Sequence, residues 1–240
     1  MLTVHADIVG SLLRPPELLQ AQGELAAGAI GSDRFKEIED QAVDEAIALQ
    51  EDVGLEILTD GEMRRQSFQS QMTAAVSGFG EFGLDAFLWG DWHNEQGVQN
   101  APRPPGLGAV AKLVRQRYLS ADEFAYLRAK TTRILKITLP SPGLWANFWS
   151  ADHSKVAYPT LESFLADIVS ILRDEVAELV RLGAVYIQLD APHYGLLLDP
   201  KTRAFYEGQG WSLEKWLTLG IELDNAVMDS FPTATFGIHV

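Results

Sequence analysis

Residues 183–200 read GAVYIQLDAPHYGLLLDP, and the reading of this stretch decides the fold. Gly183 closes a long amphipathic helix, Val185-Tyr186-Ile187-Gln188-Leu189 have strand propensity, and the run ends on Asp190 ahead of Pro192, which cannot donate to a ladder. The same form occurs earlier, where Gly54 closes a helix and Leu55-Glu56-Ile57-Leu58-Thr59-Asp60-Gly61-Glu62 follows as a strand running into carboxylates. Two helix–strand–acid units predict a parallel α/β repeat, in which the carboxyl ends of the strands gather the chemistry.

Working outward, Thr160 can cap a helix whose inner face carries Leu161, Phe164, Leu165, Ile168, Leu172, Val176, Leu179 and Val180. Before it, Ile134–Leu139 reads as a strand broken by Pro140-Ser141-Pro142-Gly143, and Ser120 with Glu123 has the spacing of a capping box that starts a helix to about Lys130. A helix from Asp33 to Val53 carries Phe35, Ile38, Ala42, Ala46, Leu49 and Val53 on one stripe, and Val4–Ser11 is apolar enough for a first strand. On the other side, Ser212 can cap a helix, and Thr233–Val240 reads as a fifth strand in which the sequence stops in mid-element. Phe79–Pro105 has no clear period; it is expected to be a rim excursion, reaching to about residue 130, that serves as a lid, a binding loop or an interface.

Composition narrows the function. The 240 residues are 47% hydrophobic, enough for a real core, and 33 acidic against 19 basic residues give a net charge of −14, which argues against nucleic acid or anionic membranes as partners. No apolar run approaches the ~20 residues of a membrane span and the start is not that of a signal peptide, so a cytoplasmic protein is expected. With no cysteine, these residues supply neither disulfides nor thiolate ligands.

The strand ends offer Ser11, Glu62, Ser141 or its neighbours, Asp190 and His239. If the strands are parallel and adjacent, these groups converge on one rim, where a small-molecule site is expected. Each also has a purely structural reading: a turn hydroxyl for Ser11, an ion pair with Arg64 or Arg65 for Glu62, a turn cap for Asp190 and a packed histidine for His239. The histidines show no paired ligand spacing, so the sequence alone holds no complete metal site.

At Val9-Gly10-Ser11 with Arg14-Pro15, Asp60-Gly61-Glu62, Leu139-Pro140-Ser141-Pro142, Tyr186–Pro192 and Gly237-Ile238-His239-Val240, the chain resembles the cobalamin-independent methionine synthase family. The likeness is to its zinc-bearing C-terminal barrel and to the short single-barrel relatives, and the motifs occur in the family's order. It implies a TIM (β/α)8 barrel, here one domain over 1–240 that is truncated to the first five strands and incomplete at the C-terminus. It further implies a zinc-dependent methyl- or alkyltransferase that moves a methyl group from a folate-type donor to homocysteine or a related thiol. Zinc would hold the thiol as a thiolate near neutral pH.

By the same resemblance Ser11 would hold the backbone polar groups of an amino-acid thiol, Glu62 and Asp190 its ammonium, and His239 the zinc. No catalytic acid or base is assigned. The family's further ligands, two cysteines and a glutamate, would lie beyond Val240, and a missing C-terminal segment or another subunit would cover the open barrel. The chain departs from the family's Asp-Glu-Pro at Asp190-Ala191-Pro192. Two other readings are a metal-free acid/base enzyme of the same barrel using Glu62 and Asp190, and a non-catalytic fragment that binds a small ligand.

Overall fold

The computed structural model describes residues 6–68, 70–81, 107–208 and 210–240. Four parallel strands form its main sheet in the order β1 (Ile57–Leu58), β4 (Ile134–Pro140), β5 (Tyr186–Asp190) and β6 (Thr235–His239). Each new strand is added beside the previous one with no reversal of order, which is the progression of a (β/α)8 barrel and not of a doubly wound sheet. The chain builds an open arc of such a barrel, with β1 and β6 at its edges among the described residues.

The alternation of side chains explains the two faces of this arc. In the ladders Lys136 pairs with Tyr186, Thr138 with Gln188, and Pro140 with Asp190, while Gln188 and Asp190 pair with Gly237 and His239. Residues in register share a face, so Lys136, Thr138, Gln188, Asp190 and His239 lie on one side and Leu135, Ile137, Leu139, Ile187 and Leu189 on the other. The second set is buried in the core with Phe164, Leu165, Ile168, Leu172, Val176 and Leu179 of α5 (Leu161–Arg181). Each such side chain contributes about 1.5–3 kcal/mol on burial, which is ample to fix the register. The N-terminus of α5 is closed by a reciprocal cap between Thr160 and Ser163.

Helices α1 (Pro16–Ala26) and α2 (Ser32–Asp52) precede β1, α4 (Ala121–Lys130) precedes β4, and the short α6 (His193–Leu196), α7 (Pro200–Gly208), α8 (Leu213–Lys215) and α9 (Ile221–Met228) lie between β5 and β6. Gly31 occupies the N-cap of α2, and Asp33 sits in its first turn. The expected box at Ser120 and Glu123 does not form as one: Ser120 makes no side-chain cap, its hydroxyl accepts from Gln71 at 2.7 Å, and Glu123 is drawn inward to Arg65.

One further reading is corrected. The expected first strand, over its described residues 6–11, is not in a ladder; Val4 and His5 lie outside the described residues. Its carbonyls at Ile8, Val9 and Gly10 instead accept from the side chains of Lys136, Gln188 and Thr59, and only at Leu12 does a backbone bond, to the Gly61 carbonyl at 3.0 Å, join it to β1's end. The expected excursion begins and ends as an antiparallel hairpin, β2 (Val76–Glu81) with β3 (Leu107–Arg115), after the short α3 (Ser70–Ala75); residues 82–106 lie outside the described residues. The hairpin docks on the segment after β4, with the Phe79 ring 5.9 Å from Trp145 and 5.8 Å from Phe148, and the Leu113 amide 2.7 Å from the Tyr158 hydroxyl.

Candidate active site at the carboxyl ends of the strands

The turn after β1 is built to present a carboxylate. Gly61 and Glu62 both take positive φ, 68° and 56°, a region that costs a non-glycine residue of order 1–3 kcal/mol. The Asp60 carboxylate secures it by accepting from the Glu62 amide at 2.9 Å, and Arg14 donates to the Glu62 carbonyl at 3.1 Å and the Arg65 carbonyl at 2.6 Å. Glu62, only 2% exposed, then accepts from Thr138 at 2.6 Å and Arg65 at 3.1 Å on one oxygen and from the Ser11 hydroxyl on the other. Gly10 makes room, since a Cβ there would lie 2.7 Å from the Glu62 Oε1.

Arg65 is the cation of this cluster. Its guanidinium, with a side chain 1% exposed, spans Glu62 at 3.1 Å and Glu123 at 3.0 Å and also donates to Thr138 at 2.8 Å. Asp60 is buried beside it with Oδ2 unpartnered, and burial, then the charge of Glu123, push its carboxyl up to about 6. Asp60, Glu62 and Glu123 thus share the single guanidinium of Arg65.

Asp190 ends β5. Its Oδ1 accepts from Gln188 at 2.7 Å and stands 3.3 Å from Nδ1 of His239, while its Oδ2 takes no hydrogen bond from the described residues. Burial raises its carboxyl above the usual range, the Gln188 hydrogen bond opposes this, and the nearby charge of Glu62 adds to the rise. His239 ends β6 with its side chain 40% exposed.

The structure therefore joins Ser11 to Glu62, and Asp190 to His239, with Glu62 and Asp190 near enough to feel each other's charge. Ser141 stands apart: its hydroxyl bonds Asp224 at 2.5 Å and it caps the turn through the Gly143 amide. Sequence reasoning had the ion pair of Glu62 with Arg65, seen here at 3.1 Å, and Asp60 as part of a motif, but it missed Glu123, Thr138 and Gln188. The alternation within Lys136-Ile137-Thr138 and Ile187-Gln188-Leu189 could have flagged two of them as polar residues on the inner face, but Glu123 has no local signal because its partner is far away in sequence.

A parallel arc whose strand ends gather buried carboxylates defines the class: an α/β-barrel protein with its polar groups at the carboxyl rim, where barrels of this kind carry their small-molecule sites. Residues 4–217 match the family profile described as cobalamin-independent synthase, catalytic domain, and the chain belongs to this family. A methionine synthase of Pyrococcus abyssi is 33% identical over 187 residues, covering 78% of this chain and 51% of that protein. A 5-methyltetrahydropteroyltriglutamate–homocysteine methyltransferase of Synechococcus is 28% identical over 206 residues, or 86% of this chain and 26% of that protein. The chain thus spans about half the length of the archaeal relative. A Listeria monocytogenes protein assigned as a vitamin-B12-independent methionine synthase shares the fold at a TM-score of 0.73, with 19% identity over 99% of this chain and 65% of that one.

Among the described residues no group of three or more histidine, aspartate or glutamate side chains could hold a metal ion, and the chain has no cysteine. The residues present therefore do not fit a complete zinc site. The Nδ1 of His239 is turned to Asp190 at 3.3 Å. No helix among the described residues is long and apolar enough to cross a membrane.

Proposed function

We propose that this chain carries the amino-acid-binding side of a thiol methyltransferase site, with homocysteine or a related amino-acid thiol as acceptor and a folate-type methyl donor. The observation that carries the reading is the pairing of Asp190 and Glu62. Burial and the nearby charge of Glu62 raise the cost of ionising Asp190, and an ammonium group placed against the unclaimed Oδ2 of Asp190 relieves it. Glu62 can accept from the same ammonium with the remaining lone pair of Oε2, and Ser11 holds that oxygen in place.

In this reading the residues orient and do not exchange protons with the acceptor. Fixing the ammonium at the strand ends of β1 and β5 directs the thiol along the rim toward β6, where His239 stands. Alignment of acceptor and donor is worth several kcal/mol of the barrier to methyl transfer. Zinc, when bound, supplies stabilisation of a thiolate; His239 contributes one nitrogen, and the other ligands come from outside these residues. The 240 residues are read as one barrel domain.

The test is methionine formation from homocysteine and a methylfolate by the full gene product, with Glu62→Gln beside it. A raised KM for homocysteine in Glu62→Gln supports the reading. Absence of methionine formation in the unmutated, zinc-loaded protein overturns it.

A further inference from the structure

The stretch that carries Ser11 has no strand partner, and what replaces the ladder is a row of side chains. Three successive carbonyls, Ile8, Val9 and Gly10, accept from Lys136 on β4, Gln188 on β5 and Thr59 after β1. Among these donors Gln188 alone also touches a group assigned to the ligand. Its Nε2 donates to the Val9 carbonyl at 2.8 Å and to Asp190 Oδ1 at 2.7 Å, and its Oε1 accepts from Lys136 Nζ at 2.9 Å.

The orientation of this amide is forced by its neighbours. Lys136 is a donor only, so the oxygen must face it, and the NH2 must face the two acceptors. Lys136, with its side chain fully buried, is itself held by Asp7 at 2.9 Å and by the Ile8 carbonyl. A flipped amide would put its NH2 against the ammonium and its oxygen against two acceptor oxygens. The arrangement has a single satisfied state. Gln188 is 6% exposed, so water does not readily replace either bond.

We infer that Gln188 is a positioning residue that joins the segment bearing Ser11 to the carboxylate of Asp190, so that the two sides of the ammonium site are set together. The inference rests on the reading of Ser11 and Asp190 given above, and it assigns Lys136 the task of orienting the amide. The predicted consequence is that loosening one side loosens the other.

Two variants test it. Gln188→Leu removes both donors, and the nearly isosteric Gln188→Glu keeps an oxygen for Lys136 but turns an acceptor toward Val9 and Asp190; it serves if the leucine variant does not fold. Hydrogen exchange at the Leu12 amide, which is bonded to the Gly61 carbonyl, reads the segment. Calorimetric titration with homocysteine and with 4-mercaptobutanoate, which lacks the ammonium, reads the site. Exchange is expected to rise at least tenfold, and homocysteine affinity to fall about tenfold while that of 4-mercaptobutanoate changes less than twofold. Unchanged exchange in a folded variant overturns the inference, as does an equal loss for both thiols. If the unmutated protein binds no homocysteine the functional reading fails, and the exchange measurement still decides whether Gln188 holds the segment.

Discussion

Replacing Arg65 by methionine removes the one cation among Asp60, Glu62 and Glu123 while keeping most of the side-chain volume. The guanidinium makes bonds of 3.1 Å to Glu62, 3.0 Å to Glu123 and 2.8 Å to Thr138, and the side chain is 1% exposed, so water cannot take its place. Breaking a buried pair from one side costs about 3–5 kcal/mol, because the abandoned charge stays buried. For a chain of this size that is a fall in Tm of roughly 6–20 °C, at about 2–4 °C per kcal/mol. The pH dependence gives a second check. The Asp60 carboxyl is raised from 3.8 to about 6, so the folded state holds this proton more tightly than the unfolded chain and stability falls as pH rises between those values. Arg65 opposes that rise, so in Arg65→Met the falling region extends to higher pH and the deficit against the parent is larger at pH 8 than at pH 5. Urea melts of both proteins at the two pH values measure it. A deficit below about 1 kcal/mol at pH 8, within the range of an exposed pair, or one that does not change between pH 5 and pH 8, refutes the reasoning.

Three other outcomes are expected. His193 is fully buried with neither ring nitrogen bonded among the described residues, and burial lowers it from 6.5 to about 3. Its neutrality therefore contributes stability above pH 6.5 that is lost as pH falls toward 3, on the order of 5 kcal/mol in all, and His193→Leu should flatten the acid side of the stability curve in chemical melts. In Gly10→Ala the new Cβ meets Glu62 Oε1 at 2.7 Å and Thr138 Cγ2 at 3.0 Å, and because Arg65 and Thr138 hold that oxygen the clash should cost about 1–3 kcal/mol in a urea melt and lower homocysteine affinity several-fold in a titration. Zinc added to this chain should bind only weakly, with His239→Ala making little difference, because one imidazole is a quarter of the usual ligand set; equilibrium dialysis would expose a tight site through any other result.

Much of the sheet was legible because its signals are local. Alternating and continuous apolar runs placed β4, β5 and β6 within a residue or two, and the long apolar stripe with Thr160 ahead of it placed α5. The N-terminal stretch was misread because Val4–Ser11 has strand composition, yet its carbonyls are satisfied by side chains that come from far along the sequence, at Lys136 and Gln188. The hairpin of β2 and β3 was missed for a similar reason, since its strands are separated by a long insertion and carry the glycines Gly78, Gly80 and Gly108, which weaken strand signals. In the site, Glu62, Asp190 and His239 could be listed from their places at or just after strand ends, and Ser11 from the end of a stretch that has the composition of a strand without being one. Which of them touch, and that Glu123 joins Arg65 beside Glu62, follows from tertiary packing and has no sequence period.

The central claim is that the rim formed by β1, β5 and β6 binds the ammonium group of an amino-acid thiol through Asp190. Calorimetric comparison of homocysteine with 4-mercaptobutanoate, on the parent and on Asp190→Asn, tests it most directly. A charge-assisted hydrogen bond of about 1.5–3 kcal/mol predicts that the parent prefers homocysteine by roughly ten- to a hundredfold and that the preference disappears in Asp190→Asn. Equal affinities in the parent, or a preference that survives in Asp190→Asn while folding stability drops, would contradict the account and leave Asp190 as a structural group.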